Sequence, residues 1–272
     1  MNEVQELINS RLDTIEQQEG VAILLAVESG SRAWGFPSKD SDFDVRFLYC
    51  RRPEFYLSIN LDNQSDVIER PIEDSIDLSG WDIRKALTLF RKSNPPLLEW
   101  LQCPIIYRER SSFATELRKF LPDFYSPTAS FFHYKHMAEG NFRDYLHGDI
   151  VWRKKYLYVL RPLLATRWIR QGYGPVPIEF TRVVSATVPM GPLREAIDQF
   201  IEDKRAGNEL DRGPRIPLLS DFIEKEIRSL ADETPSTQSK GASVEILNGL
   251  FRSVLIELWP DWFSKRQAAT NA

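Results

Sequence analysis

The 272-residue chain has little sulfur and little histidine: two cysteines, three methionines and three histidines. Cys50 and Cys103 lack the spacing of a metal-ligand pair, so a cysteine-built metal centre is excluded and two reduced, buried thiols of a cytoplasmic protein are expected. His133, His136 and His147 have no partner set around them, which leaves them structural or solvent-facing. No run of 18 apolar residues occurs, which excludes a membrane-spanning helix. Residues 1–18 carry helical periodicity (Val4, Leu7, Ile8, Leu12, Ile15) without the basic start and apolar centre of a signal peptide. No internal repeat is present. A net charge of −4 argues against a protein that coats nucleic acid through bulk positive charge.

What is present is apolar and aromatic: 42% hydrophobic residues with 16 Phe and 7 Trp, ample for a packed core. The charge is unevenly spread. Residues 1–110 hold 13 basic and 19 acidic side chains, whereas residues 111–172 hold 10 and 5. An acidic first part suits metal-binding carboxylates, and a basic second part suits their phosphate-bearing ligand, although ordinary solvated helix faces produce the same asymmetry.

The most informative stretch is Glu28-Ser29-Gly30-Ser31-Arg32-Ala33-Trp34-Gly35, followed by Ser41-Asp42-Phe43-Asp44. Residues 22–27 (Ala-Ile-Leu-Leu-Ala-Val) read as a buried strand. Gly30 then permits a tight turn and close approach of a ligand to the backbone. With a strand from 43 onward, Asp42 and Asp44 share one face. Two carboxylates that close repel unless a cation lies between them, and all-oxygen ligands point to Mg²⁺ or Mn²⁺.

A Gly-Ser turn after a first strand and an acidic pair on a second resemble the nucleotidyltransferases of the DNA polymerase β superfamily. The closer resemblance is to the bacterial and phage YcgL-like, RNA-repair-associated members, carried by residues 28–49 (ESGSRAWGFPSKDSDFDVRFLY), 77–101 (DLSGWDIRKALTLFRKSNPPLLEWL) and 154–169 (KKYLYVLRPLLATRWI). It covers the first two thirds of the chain. The resemblance implies that Asp42, Asp44 and a third carboxylate hold two divalent metals. It also implies in-line transfer of a nucleotide from an NTP, with release of pyrophosphate. Asp77 is the chosen third carboxylate, as ligand and base. Asp82 competes, but it directly precedes a helical pattern (Ile83, Ala86, Leu87, Phe90), where a short carboxylate caps the free N–H groups.

Gly30, Ser31 and Arg32 are candidates for binding the nucleotide's phosphates, with a plain strand-to-helix turn and a surface arginine as the structural alternatives. Trp34 is expected to pack beneath the turn. Within a helix predicted over 150–170, Lys154, Tyr158 and Arg161 fall at i, i+4 and i+7 and share one face, which suits a triphosphate; Lys155 is the alternative lysine and a solvated basic stripe the alternative reading. Pro162 predicts a kink near 158–161.

The pattern predicts an α/β (α+β) nucleotidyltransferase domain with a mixed sheet over 1–110, then an all-helical domain over 111–272, with the active site between them. Helices are predicted over 2–18, 83–92, 97–101, 112–121, 127–147, 150–170, 190–206, 216–231 and 243–257. Strands are predicted over 22–28, 43–50, 66–69, 75–79 and 105–107. Polar loops are expected over 207–215 and 233–242, a mobile segment over 234–241 and a frayed tail over 264–272. The expected activity is metal-dependent transfer of an NMP to a hydroxyl, with RNA as acceptor through the resemblance. A protein or small-molecule hydroxyl, or nucleotide binding without turnover, are the other readings.

Overall fold

A computed structural model describes residues 2–207, 212–230, 233 and 241–264. The segment expected to be mobile and the expected frayed tail therefore lie, apart from residues 241 and 264, outside the described residues.

The chain opens with helix α1 (Asn2–Glu19), whose Ile8, Leu12 and Ile15 repeat at helical spacing and are buried. Strand β1 (Val21–Ser29) follows, then the short helix α2 (Gly30–Trp34), β2 (Phe43–Arg51), α3 (Pro53–Tyr56), β3 (Val67–Glu69) and β4 (Ile76–Asp82). Helices α4 (Ile83–Arg91) and α5 (Pro95–Gln102) lead to β5 (Ile106–Glu109). The five strands form one mixed sheet in the order β3-β4-β2-β1-β5, with β2 and β4 parallel and the other pairs antiparallel.

Helix boundaries follow local chemistry. Asp82 caps α4 by accepting from the Arg84 N–H at 2.8 Å, as its position predicts. Asn94 caps α5 by accepting from the Leu97 N–H at 3.2 Å, and Pro95 occupies the first turn, where no donor is needed. One face of the sheet (Ile23, Ala26, Val45, Phe47, Ile76, Leu78) packs on α1. The other (Leu25, Val27, Leu48, Cys50) packs on α4 and α5, and each fully buried side chain of this size contributes about 1.5–3 kcal/mol.

From residue 113 the chain is mainly helical: α6 (Phe113–Phe124), α7 (Pro127–Tyr145), α8 (Tyr156–Arg170), α9 (Phe180–Thr187), α10 (Pro192–Arg205), α11 (Pro217–Leu230) and α12 (Val244–Leu258). The fold is therefore α+β with a helical C-terminal region. Helices α7 to α11 share one core, which also receives Phe36. Helix α12 instead returns to the first part of the chain: Leu247, Leu250, Val254 and Leu255 pack in the core built on β1, α4 and α6. Among the described residues no helix is long and apolar enough to cross a membrane. Cys50 and Cys103 are both free and buried.

Two expectations need correction. The helix predicted over 150–170 begins only at Tyr156. Before it lie strand β6 (Ile150–Trp152) and a 3₁₀ turn (Arg153–Lys155), because β6 finds a partner in β7 (Arg212–Pro214), inside the expected loop 207–215. Helix α9 was not foreseen, although Phe180, Val183, Val184 and Thr187 bury one face at helical spacing. Pro162 sits inside α8 as expected. It cannot donate to the Tyr158 carbonyl one turn back, and Asn141 of α7 donates to that oxygen instead, at 3.1 Å.

Candidate active site

Strand β1 ends at Ser29, and Gly30 turns the chain with φ +62°. A side chain here would collide with the Asp44 carboxylate: a Cβ placed on Gly30 would lie 2.0 Å from Asp44 Oδ2. Gly30 is thus the surface on which Asp44 rests. Arg32 lies two residues on. Its guanidinium donates to the Ser41 carbonyl at 2.7 Å and the Asp42 carbonyl at 3.2 Å, and stacks over the Phe43 ring at 3.8 Å. It therefore anchors the loop that carries Asp42. The Gly35 carbonyl, just past α2, accepts from Arg205 Nη2 at 2.5 Å and Nε at 3.1 Å, which ties the end of α10 to the turn.

Asp44 on β2 and Asp77 on β4 are direct partners across the parallel ladder, so their side chains leave the sheet on the same face. Arg46, two residues along β2, reaches both: Nη2 lies 2.7 Å from Asp77 Oδ2 and 3.5 Å from Asp44 Oδ1. Asp42 precedes the strand and is exposed. Burial pushes the Asp44 carboxyl above its usual range; Arg46 opposes that shift, and the nearby Asp77 and Asp42 charges add to it. Asp82, the rival third carboxylate, lies at the other end of β4. It is buried and bonded to the α4 backbone and to the Tyr56 hydroxyl at 2.8 Å.

Among the described residues no three His, Cys, Asp or Glu side chains converge as a ready-made metal cluster. The Arg46 guanidinium stands between two of the expected ligands. The donor set nonetheless fits a hard divalent cation. It is all carboxylate oxygen, and the Asp42 and Asp77 charges act on Asp44 against the pull of Arg46 and Arg32, so three acids face two guanidinium groups, an excess of negative charge that a cation would relieve.

Facing Asp42 and Asp44 across a cleft of about 260 Å³ are Lys154, Tyr158 and Lys204, with Ser31 and Ser38 on the turn side. Lys154 comes from the 3₁₀ turn before α8 rather than from the helix itself. Tyr158 is held above its usual range by burial first and by the Asp44 charge second. Lys204, at the end of α10, is held below its usual range by burial and by the neighbouring Lys154. Neither lysine has an acidic partner within ion-pairing distance among the described residues.

The stripe expected from Lys154, Tyr158 and Arg161 is divided. Lys154 and Tyr158 reach the cleft. Arg161 does not: its Nη1 bonds both oxygens of buried Glu99, at 2.7 and 2.8 Å, and its guanidinium lies 4.3 Å from the Trp34 ring. Tyr134 donates to the same Glu99 carboxylate at 2.6 Å. Arg161 therefore anchors α8 beneath Trp34, which packs there as expected against Tyr158 and Phe36.

Two residues of this site escaped the sequence reading. Lys204 belongs to an ordinary amphipathic helix, and nothing local marks it. Glu28 had a signal, a carboxylate ending an apolar strand. It is fully buried, accepts from the Asp44 N–H at 2.8 Å and from the Tyr107 hydroxyl, and burial lifts its pKa to about 7. It holds the backbone from which Asp44 projects.

The description of the RNA repair pathway DNA polymerase beta family (RlaP) matches residues 4–253. The uncharacterized protein YcgL of Bacillus subtilis (strain 168) is 45% identical over 259 residues, which cover 95% of this chain and 99% of that protein. Among solved structures, a nucleotidyltransferase-like protein from Exiguobacterium sibiricum 255-15 aligns with 92% of this chain and 89% of its own at 15% identity, with a TM-score of 0.32, a likeness too slight to bear on the fold.

Proposed function

The chain belongs to the RNA repair pathway DNA polymerase beta family, a nucleotidyltransferase family, and we propose that it transfers an NMP from an NTP to a hydroxyl of RNA, releasing pyrophosphate. The observation that carries this reading is a cleft with Asp42 and Asp44 on one wall and Lys154 and Lys204 on the other, with Asp77 level with Asp44 on the neighbouring strand. Anionic and cationic walls this close suit a phosphate chain bound with a cation.

Asp42, Asp44 and Asp77 would hold Mg²⁺ or Mn²⁺, which supplies charge neutralisation at the phosphate oxygens and acidifies the attacking hydroxyl. Lys154 and Lys204 bind the β- and γ-phosphates, and Ser31 donates from the turn. Gly30 leaves room for the Asp44 carboxylate against the turn. The acceptor oxygen attacks the α-phosphorus as the bond to the β-phosphate's bridging oxygen breaks. Asp77 takes the acceptor's proton at a carboxylate oxygen, and pyrophosphate leaves on the lysine side. Arg32 and Glu28 position the Asp42 loop and the Asp44 backbone. Residues 1–110 form the catalytic domain in this reading, and residues 111–272 the helical domain, with α12 reaching back across the boundary.

The test is incubation of the whole chain with each α-labelled NTP, Mg²⁺ or Mn²⁺ and a mixed pool of RNA 3′ ends, beside the Asp42→Ala/Asp44→Ala variant and a chelated control. Label on RNA with wild type and metal only supports the proposal. Label on protein or on a small molecule, or none at all, rejects RNA as the acceptor.

A further inference from the structure

The basic residues of 111–172 differ in what they meet. Arg118, Lys119, Arg143, Arg161, Arg167 and Arg170 are each ion-paired with a carboxylate. Lys154 and Lys155 have no such partner among the described residues, and neither have Lys204 and Arg212, which the fold brings beside them. These cations are interleaved with aromatic rings. Lys154 Nζ lies 5.5 Å from the Trp152 ring centre, and the Arg212 guanidinium lies 5.0 Å from the same ring. Lys155 Nζ lies 4.2 Å from the Tyr158 ring and 4.7 Å from Tyr145.

The patch has a built support. Trp152 and Arg212 are direct partners in the β6·β7 ribbon. Gly213 beside them has no side chain because Arg153 lies across it: a Cβ there would meet Arg153 Cδ at 2.9 Å. The patch also runs into the cleft, since Lys154 and Tyr158 belong to both. Unpaired cations spaced by half-exposed aromatic rings suit a flexible polyanion whose flat bases can leave their stack. A folded acidic protein would not need the rings, and a duplex keeps its bases stacked.

We infer that Trp152, Arg212, Lys155 and Tyr145 form the track for a single-stranded RNA acceptor, which leads its end past Tyr158 into the cleft that Asp44 lines. The inference rests on the nucleotidyltransferase reading for its direction but not for its binding.

The test is fluorescence anisotropy of a labelled single-stranded RNA of about twelve nucleotides with the whole chain, without NTP or metal, over a range of salt. Trp152→Ala and the Arg212→Gln/Lys155→Gln pair are expected to raise the RNA Kd about tenfold or more each. The pair should also flatten the salt dependence by about two phosphate contacts. The KM for NTP should stay as in wild type. The double variant replaces surface charges only and keeps the test valid if Trp152→Ala unfolds. Equal affinity of wild type and both variants, or stronger binding of duplex than of single strand, overturns the track. RNA binding weakened by the variants with no NMP transfer to any RNA end would leave the track standing and reject the function proposed for the cleft. Transfer to a protein hydroxyl without RNA binding would reject the track.

Discussion

Asp77 stands level with Asp44 on the neighbouring parallel strand, and one guanidinium, Arg46, spans the pair. Asp82, five residues along the same strand, faces a helix end and a tyrosine instead. The two candidates for the third carboxylate are thus separated by what they touch. Asp77→Asn is expected to lower the rate of transfer by about 100-fold or more with little change in melting temperature. Asp82→Ala removes a cap, worth about 1 kcal/mol, and takes the carboxylate acceptor from the Tyr56 hydroxyl, so it should lower stability and leave the rate of the folded protein near wild type. Single-turnover kinetics beside thermal melts would separate them; an inactive but stable Asp82→Ala would reverse the assignment.

Gly30→Ala should be more damaging than its size suggests. The new methyl would occupy the place of Asp44 Oδ2, at a φ of +62° that L-residues tolerate poorly. The left-handed backbone alone costs about 1–2 kcal/mol, and displacement of Asp44 should abolish transfer. The measurement is activity beside the melting curve, and retained activity would show that Asp44 is not held against the turn during catalysis.

Glu28 makes stability depend on pH in a direction opposite to that of a salt-bridged acid. Its folded pKa, about 7, is raised above the ordinary carboxyl value of 4.5. The folded state therefore holds the proton more tightly than the unfolded chain does. The stabilisation is complete below about pH 4.5 and is lost as pH rises through 7, a change on the order of 3 kcal/mol. Glu28→Gln keeps an acceptor for the Asp44 N–H and should remove that slope. Urea unfolding of both proteins at pH 5 and pH 8 checks this; the variant should gain relative to wild type at the higher pH, and parallel curves would refute the assignment.

Lys204 tests whether the helical part contributes to the site. Lys204→Gln should raise the KM for NTP about tenfold, since a hydrogen bond to a charged group is worth about 1.5–3 kcal/mol, with a smaller effect on kcat. An unchanged KM would remove α10 from the nucleotide site.

Arg161 should behave as a structural residue. Arg161→Met leaves Glu99 buried without its counter-charge, a loss of about 3–5 kcal/mol in the unfolding free energy. The KM for NTP of the folded fraction should be near wild type. A stable variant with a raised KM would return Arg161 to the nucleotide.

The sequence by itself determined what short-range chemistry controls. The apolar run of β1, the glycine turn, the acidic pair on β2, the Asp82 cap and the Asn94-Pro95 helix start are each written in a few adjacent residues, because strand burial, positive φ and capping act over a turn or less. Most of the helices, though not α3 or α9, and every strand of the main sheet were legible for that reason. The tertiary structure alone decided what depends on residues far apart in the chain. Residues 150–152 read as helix until β7, some sixty residues later, offers hydrogen bonds to them. Arg161 looked free until Glu99 was brought beneath it. Lys204 carried no signal, because its significance is its place opposite Asp44, which α10 and the Arg205 bond to Gly35 create. Local propensity sets the elements, but which charges meet is fixed only when the cores between them close.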